Sequence, residues 1–145
     1  RDLGSCIRET PGAGAAGGLG AGLMAFARGR LLTGIQLVLD AVNLKDRLRG
    51  ADLCLTGEGS LDASSAHGKA VAGVARLAKD LGCPCLAVAG SIHPDASVLL
   101  EFGIDAFFSI CRAPMTLETA IEQADALLAD ATEQAVRAFL AGRSR

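Results

Sequence analysis

From residue 51 onward, short apolar runs of strand length alternate with longer segments of helical period. The apolar runs predict strands over residues 51–56, 85–89 and 105–110, and the periodic segments predict helices over residues 68–81, 94–102 and 116 to about 140. This βαβαβα order is typical of a parallel sheet covered by its crossover helices. Because parallel sheets are usually buried on both faces, we predict an α/β domain with a three-layer, Rossmann- or flavodoxin-like arrangement.

Start and stop signals support these helices. Gly82 and Pro84 follow the first helix, Gly103 closes the short one, and Thr116 is the predicted N-cap of the last. The last helix carries one apolar face, made of Leu117, Ile121, Ala124, Leu128, Ala131, Ala135 and Phe139. Upstream of the first strand, we predict helices over residues 15–27, 34–41 and 44–48, the last of them capped by Asn43.

Composition limits the class of protein. The chain has 145 residues, of which half are apolar and 21% are charged, so it is long enough for one folded domain and is not intrinsically disordered. Its net charge of -2 offers no basic surface for nucleic acid or for an anionic membrane. Residues 10–27 are uncharged, but the six glycines from Gly12 to Gly22 argue against a membrane-spanning helix.

The cysteines and the first residue bear on cellular location. The five cysteines are too sparse for a disulfide-stapled protein and lack metal-ligand spacing; they are Cys6, Cys54, Cys83, Cys85 and Cys111. Most of them lie in apolar runs, where a thiol acts as a small hydrophobe. The chain begins with Arg1 and has no leader pattern, so we expect a cytoplasmic protein and a piece of a longer polypeptide.

The first candidate site is the glycine-rich segment PGAGAAGGLGAG, residues 11–22. It contains the spacing G-x-G-x-x-G at Gly12, Gly14 and Gly17. A dinucleotide-binding loop needs a strand directly before it, whereas the upstream sequence is charged and ends in Pro11. Two interpretations stay open: backbone N–H groups at a helix start that bind an anion, and glycines that allow helices to pack closely.

The second candidate site is TGEGSLDASSAHGK, residues 56–69, between the first strand and the next helix. In open α/β sheets, ligands bind at this carboxyl end of the strands. Glu58 and Asp62 can hold Mg²⁺ or accept a proton, and Lys69 can neutralise phosphate oxygens. These residue types are those that phosphoryl transfer needs, although Ala70 after Lys69 departs from a Walker A loop.

Structural alternatives exist for the other polar residues of this region. Ser64 or Ser65 can cap the following helix instead of binding phosphate. His67 can be an ordinary loop histidine, and His93 is more typical of a turn than of a ligand set. Two acidic side chains between glycines are harder to explain without a cation or a helix start nearby.

Five stretches occur in order along the chain: PGAGAAGGLGAG, TGIQLVLDAVNL, DLCLTGEGSLDASSAHGKAVAGVARLAK, CPCLAVAGS and FGIDAFFSI. Together they strongly resemble the C-terminal portion of bacterial glycerate kinases of the glyoxylate and glycerate pathway type. The resemblance implies an ATP-dependent kinase that phosphorylates D-glycerate at the 2-hydroxyl, with Mg²⁺, in a cleft between two α/β domains. Residues 1–145 would be the C-terminal part of that fold. The N-terminal part of the same polypeptide is the expected partner, and a homodimer stays open.

The resemblance also assigns roles to residues. The family segment GEG-x-x-D falls on Gly57, Glu58, Gly59 and Asp62, and S-x-x-G-K falls on Ser65, Gly68 and Lys69. We therefore expect Asp62, Glu58 and Lys69 to be catalytic, with Glu58 and Asp62 also binding the metal. The expected substrate- and phosphate-binding residues are Gly12, Gly14, Gly17, Gly18, Gly57, Gly59, Ser65, His67 and Gly68.

The chain departs from the family pattern at three positions. Ser60, Ser64 and Val71 stand where the family typically has Arg, Gln and Pro. The missing Arg predicts weaker phosphate binding. Two rival functions remain: a nicotinamide- or flavin-binding α/β domain, which would bind NAD(P) and not ATP, and a non-catalytic remnant, which would bind neither and would self-associate through exposed apolar surface.

Overall fold

A computed structural model describes residue 7 and residues 9–143. Cys6, one of the five cysteines considered above, lies outside the described residues. Contacts divide the chain into two compact units, Arg1–Gly34 and Ile35–Arg145. Within the described residues, no helix is long and apolar enough to cross a bilayer, as the glycine content of residues 10–27 predicts.

The first unit contains helix α1, Ala15–Ala27, at the predicted position. Three consecutive residues inside it are left-handed, namely Ala16, Gly17 and Gly18, with φ values of 51°, 68° and 93°. Ahead of α1, residues 11–14 form turns, and no strand precedes the glycines in the described part of the unit. The strand–turn–helix context of a dinucleotide-binding loop is therefore not found there.

The remaining elements follow the predicted order. They are α2 (Gly34–Ala41), α3 (Leu44–Leu48), β1 (Cys54–Leu61), a first 3₁₀ turn (Ala63–Ala66), α4 (Ala70–Asp80), β2 (Cys85–Ile92), a second 3₁₀ turn (Pro94–Leu100), β3 (Ala106–Ser109), α5 (Leu117–Glu122) and α6 (Ala124–Arg143). The three predicted strands and the helices upstream of β1 are confirmed. The short helix predicted over residues 94–102 is a 3₁₀ turn instead.

Three parallel strands form one sheet in the order β1-β2-β3, with Cys54 opposite Cys85 and Leu86 opposite Ala106. β1 runs five residues beyond its predicted end, through two glycines. The close packing of β2 against β1 explains why residue 90 is a glycine, since a Cβ there would lie 2.6 Å from the carbonyl oxygen of Gly59. The sheet thus brings two backbones closer than side chains would allow.

Helices pack against both faces of the sheet, which confirms the three-layer prediction. On one face, α4 and the second 3₁₀ turn bury the main core, whose largest fully buried side chains include Leu61, Val71, Leu99 and Ile104. On the other face, Val88 packs with Ile110 and with Ala131 of α6. This second layer is small and leaves part of the sheet uncovered.

The prediction of one continuous C-terminal helix is wrong in two respects. The segment divides at Gln123 into α5 and α6, although Thr116 caps α5 through its side chain as predicted. Ala131 and Ala135 are buried, but Leu117 is 76% exposed and Ile121 is 66% exposed. The apolar face therefore meets a partner only along its second half.

The described cysteines, Cys54, Cys83, Cys85 and Cys111, are free thiols, as expected from their apolar surroundings. Cys85 is fully buried beside Cys54. The hydrogen bond between the two thiols, together with burial, raises the pKa of Cys85, so that it stays protonated.

Candidate active site

The candidate site lies where β1 ends and the chain turns towards α4. Glu58 belongs to β1, and Asp62 directly follows its last residue. The Asp62 carboxylate caps the first 3₁₀ turn, since Oδ1 accepts the N–H groups of Ser64 at 2.8 Å and Ser65 at 3.2 Å. Lys69 is the N-cap residue of α4. One continuous segment therefore presents two acids and a lysine at the carboxyl edge of the sheet.

The structure brings the three predicted catalytic side chains together. Nζ of Lys69 lies 3.7 Å from Oδ1 of Asp62 and 4.0 Å from Oε2 of Glu58. The side chains of Lys69, Asp62 and Glu58 are 40%, 37% and 21% exposed, so all three are accessible to solvent. In such partly exposed pairs the ionic contribution to stability is small.

Ser65 stands out because its side chain is fully buried. Its hydroxyl donates a hydrogen bond to Oε1 of Glu58 and accepts one from the backbone N–H of Asp62 at 3.3 Å. Nζ of Lys69 is a further donor to it, at 3.5 Å. Ser65 thus touches all three of the predicted catalytic residues.

The electrostatics favour an ionised Asp62. The hydrogen bond from the Ser64 hydroxyl, 2.5 Å long, lowers the pKa of Asp62 most, and the Lys69 charge and the N–H groups of Ser64 and Ser65 add to it. These donors outweigh desolvation, which acts in the opposite direction. At neutral pH the carboxylate is an acceptor for protons or a ligand for cations.

The second 3₁₀ turn and α4 both contribute side chains that hydrogen-bond to this segment. Asp95, in the second 3₁₀ turn, accepts the backbone N–H of Ala63 at 3.1 Å and contacts Nδ1 of His93 at 2.8 Å. Arg76 of α4 donates to the carbonyl oxygen of Ala66 at 3.4 Å and lies 4.6 Å from the ring centre of Phe102. Sequence reasoning missed Asp95; an acid in the first turn of a short helix was its one signal.

The other predicted residues have distinct places. Gly57 and Gly59 lie within β1, and Gly68 adopts a left-handed φ of 74° between the first 3₁₀ turn and α4. His67 ends that 3₁₀ turn and is exposed. The predicted glycines Gly12, Gly14, Gly17 and Gly18 belong to the first compact unit.

A large apolar groove lies beside β1, between the uncovered part of the sheet and the last two helices. Its volume is about 1070 Å³, and Glu58 lines it. Leu55 of β1 and Leu117, Ile121 and Leu128 of the helices supply exposed apolar side chains. We call this surface the β1 groove.

In the described residues, no group of three or more His, Cys, Asp and Glu side chains is close enough to bind one metal ion. Mg²⁺ is often held by one or two carboxylates together with substrate phosphate oxygens. Glu58 and Asp62 supply the two carboxylates that such an arrangement uses.

Comparison with known proteins gives the family that this chain resembles. The profile of the glycerate kinase family matches residues 1–140. The glycerate kinase of Halalkalibacterium halodurans is 46% identical over 136 residues, which cover 94% of this chain and 35% of that protein. The glycerate 2-kinase of Escherichia coli is 44% identical over 118 residues, covering 81% of this chain and 31% of that protein.

A solved structure from Salmonella typhimurium LT2, described as a glycerate kinase 2, superposes with a TM-score of 0.67 at 38% identity. The match covers 92% of this chain and 34% of that structure. The chain therefore spans about a third of the length of the curated relatives that it matches.

Proposed function

Because the chain belongs to the glycerate kinase family, we propose that it carries part of the active site of an ATP-dependent kinase acting on D-glycerate. The proposed product is 2-phosphoglycerate, which the name of the Escherichia coli relative supports. We further propose a cytoplasmic enzyme that serves glyoxylate and glycerate metabolism, with free thiols suited to a reducing compartment.

The observation that carries the proposal is the convergence of two carboxylates on one ammonium group. Lys69 lies 3.7 Å and 4.0 Å from oxygens of Asp62 and Glu58 at the carboxyl end of β1. Phosphoryl transfer depends on positioning and on charge stabilisation rather than on covalent chemistry by the protein. An ammonium group held between two acids can also contact phosphate oxygens when ATP binds.

We assign the chemical roles as follows. A glycerate hydroxyl attacks the γ-phosphorus, a new P–O bond forms, and the bond between the γ-phosphorus and the bridging oxygen of ADP breaks. Asp62, which is held ionised by its hydrogen bonds, takes the hydroxyl proton and releases it to solvent. Lys69 neutralises charge on the transferring group, and Glu58 holds Lys69 in reach.

The proposed cofactor is Mg²⁺ bound together with ATP. Glu58 and Asp62 are the residues that would hold it, each keeping oxygen lone pairs beyond those used in the contacts described above. When bound, the ion would neutralise charge on the phosphate oxygens. The protein residues themselves orient the acceptor hydroxyl and remove its proton.

The glycine segment is proposed to bind an anionic group, either an ATP phosphate or the glycerate carboxylate. Three successive residues at the start of α1, Ala16 to Gly18, have left-handed φ and ψ values, and successive backbone N–H groups in turn conformations form concave anion-binding sites in proteins. Gly12 and Gly14 precede these residues in turns.

We propose that the rest of a glycerate kinase polypeptide packs into the β1 groove. β1 is an edge strand, and the groove beside it is apolar, whereas monomeric proteins cover such surfaces. The matched relatives are about three times as long as this chain, so a complete kinase has enough further chain to fill it.

A chimera tests this function directly. This chain replaces the 136 matched residues in the Halalkalibacterium halodurans kinase, and phosphorus NMR follows the products of ATP and D-glycerate. We expect ADP and 2-phosphoglycerate, whose phosphorus couples to one proton, and strongly reduced turnover in a Lys69→Ala chimera. A folded chimera that makes no phosphoglycerate while the parent kinase is active would refute the function.

Ligand binding by the chain itself separates the rival functions. We expect ATP with Mg²⁺ to raise its unfolding temperature and NAD(P) to leave it unchanged. Stabilisation by NAD(P) alone would support a dinucleotide-binding domain, and stabilisation by neither ligand would support a non-catalytic remnant.

A further inference from the structure

We infer that Ser65 is a positioning residue, which fixes the Glu58 carboxylate beside Lys69 and does not itself bind phosphate. This inference rests on the proposed kinase function. It replaces the expectation that Ser65 binds substrate or phosphate, because the side chain is fully buried and its hydroxyl is directed at Glu58.

The burial of Ser65 is unusual for its chemistry. Among the described residues, Ser65 is the only buried residue with a polar or charged side chain. Its chain neighbour Ala66 belongs to the main core and is almost fully buried, as is Leu61 at the end of β1. A buried hydroxyl is costly unless it is hydrogen-bonded, so its partners define its role.

The hydrogen-bonding capacity of the hydroxyl is fully used. A serine hydroxyl has one donor and two acceptor lone pairs. The Ser65 hydroxyl donates a hydrogen bond to Oε1 of Glu58. It accepts one from the backbone N–H of Asp62 at 3.3 Å and one from Nζ of Lys69 at 3.5 Å. No capacity remains for a phosphate oxygen.

The two carboxylate oxygens of Glu58 have different partners. Oε1 is anchored to Ser65, and Oε2 faces Lys69 at 4.0 Å. Without the hydroxyl, the carboxylate would be free to rotate about its side-chain bonds, and Lys69 would move towards Asp62, which is already closer. Ser65 therefore keeps the lysine shared between two acids instead of paired with one.

Three variants distinguish the effect of losing the Ser65 hydroxyl from the effect of losing side-chain volume. Ser65→Ala removes both, Ser65→Cys keeps the volume but has only a weak donor, and Ser65→Thr keeps the hydroxyl. Each is made in the chimera and assayed well below its own unfolding temperature, so that all enzyme is folded. We expect kcat to fall about 10- to 100-fold for Ala and Cys, as for loss of one hydrogen bond to a charged group.

The KM values for ATP and glycerate should change little, and Ser65→Thr should recover most of the lost kcat. A Ser65→Cys enzyme with unchanged kcat would overturn the inference, because packing alone would then suffice. A raised KM for ATP with unchanged kcat would also overturn it, since that result indicates a direct phosphate contact.

A second measurement does not need catalysis and keeps the two proposals distinct. An inactive but folded unsubstituted chimera would refute the kinase function, and the role of Ser65 would then be judged from crystal structures of this chain. We expect the Glu58 carboxylate to leave Lys69 in Ser65→Ala and to stay beside it in Ser65→Thr. An unmoved Glu58 in Ser65→Ala would overturn the inference.

Discussion

The backbone N–H of Ala63 donates a hydrogen bond of 3.1 Å to Oδ1 of Asp95, a residue 32 positions later in the chain. The bond joins the loop after β1 to the loop after β2. A second link lies close by, because the N–H of His93 donates to the carbonyl oxygen of Leu61 at 2.8 Å. Asp62 stands between these two links, so its position depends on the neighbouring loop.

Asp95→Ala should loosen the candidate site. We expect the free energy of unfolding of the chain to fall by about 1 kcal/mol, the usual net value of one such hydrogen bond. His93→Ala is the matched control, since it removes the exposed imidazole contact and leaves the Ala63 bond in place. Urea unfolding measures both, and equal losses for the two variants would contradict the assigned role.

The Asp62 cap should make stability depend on pH in a defined direction. Hydrogen bonds, first of all from Ser64, hold the pKa of Asp62 below its ordinary value of 3.8. A carboxyl whose pKa is lower in the folded state stabilises the fold above its unfolded pKa and loses that effect as the pH falls through the folded one.

Thermal unfolding of the chain and of Asp62→Ala tests this sign. The difference in unfolding temperature should be largest near about pH 6 and should shrink below the ordinary aspartate pKa. Asp62→Asn, which keeps a capping oxygen but does not titrate, is the control. A difference that grows on acidification would show that the sign is wrong.

Two glycines at the β1–β2 contact should differ sharply in tolerance. A Cβ at Gly90 would lie 2.6 Å from the carbonyl oxygen of Gly59, whereas a Cβ at Gly59 meets nothing within 4 Å. Gly90→Ala should therefore cost about 1–3 kcal/mol of stability, the range for overpacking. Gly59→Ala should change it by no more than about 0.5 kcal/mol. Chemical denaturation compares them, and similar losses would contradict the strand geometry.

A charge in the β1 groove should affect the stability of the chain and of the chimera differently. Ile121 is 66% exposed, so Ile121→Asp should leave the unfolding temperature of this chain nearly unchanged and should weaken its binding of a hydrophobic dye. In the chimera, where we propose that the remaining kinase polypeptide fills the groove, the same change should lower the unfolding temperature by several degrees.

Leu100→Asp provides the control, because Leu100 is 46% exposed and does not line the groove. Equal effects of Ile121→Asp in the chain and in the chimera would contradict the proposed packing.

Local sequence determined what could be predicted of the site. Glu58, Asp62 and Lys69 come from one continuous segment, so their convergence follows from a strand end and a helix start. Asp95 was missed because it reaches the site from another loop. The buried position of Ser65 was missed as well, since a serine in a polar loop carries no signal of burial.

The errors in the fold have related causes. The end of β1 was placed too early because glycine usually weakens strands, whereas here it allows close approach to β2. The apolar stripe through Leu117 and Ile121 correctly predicted a helix, but these two side chains are exposed in this chain. Periodicity shows that such a face needs a partner, but it does not identify which segment supplies it.

The most direct test of the central claim is the turnover of the Asp62→Asn chimera. Asparagine keeps the helix-capping oxygen and the side-chain shape but removes the charge and the basic site. If Asp62 accepts the hydroxyl proton, kcat should fall at least about 100-fold, the lower range for a general base, while the unfolding temperature stays close to that of the unsubstituted chimera. Near-normal turnover in Asp62→Asn would contradict the claim and remove Asp62 from the chemistry.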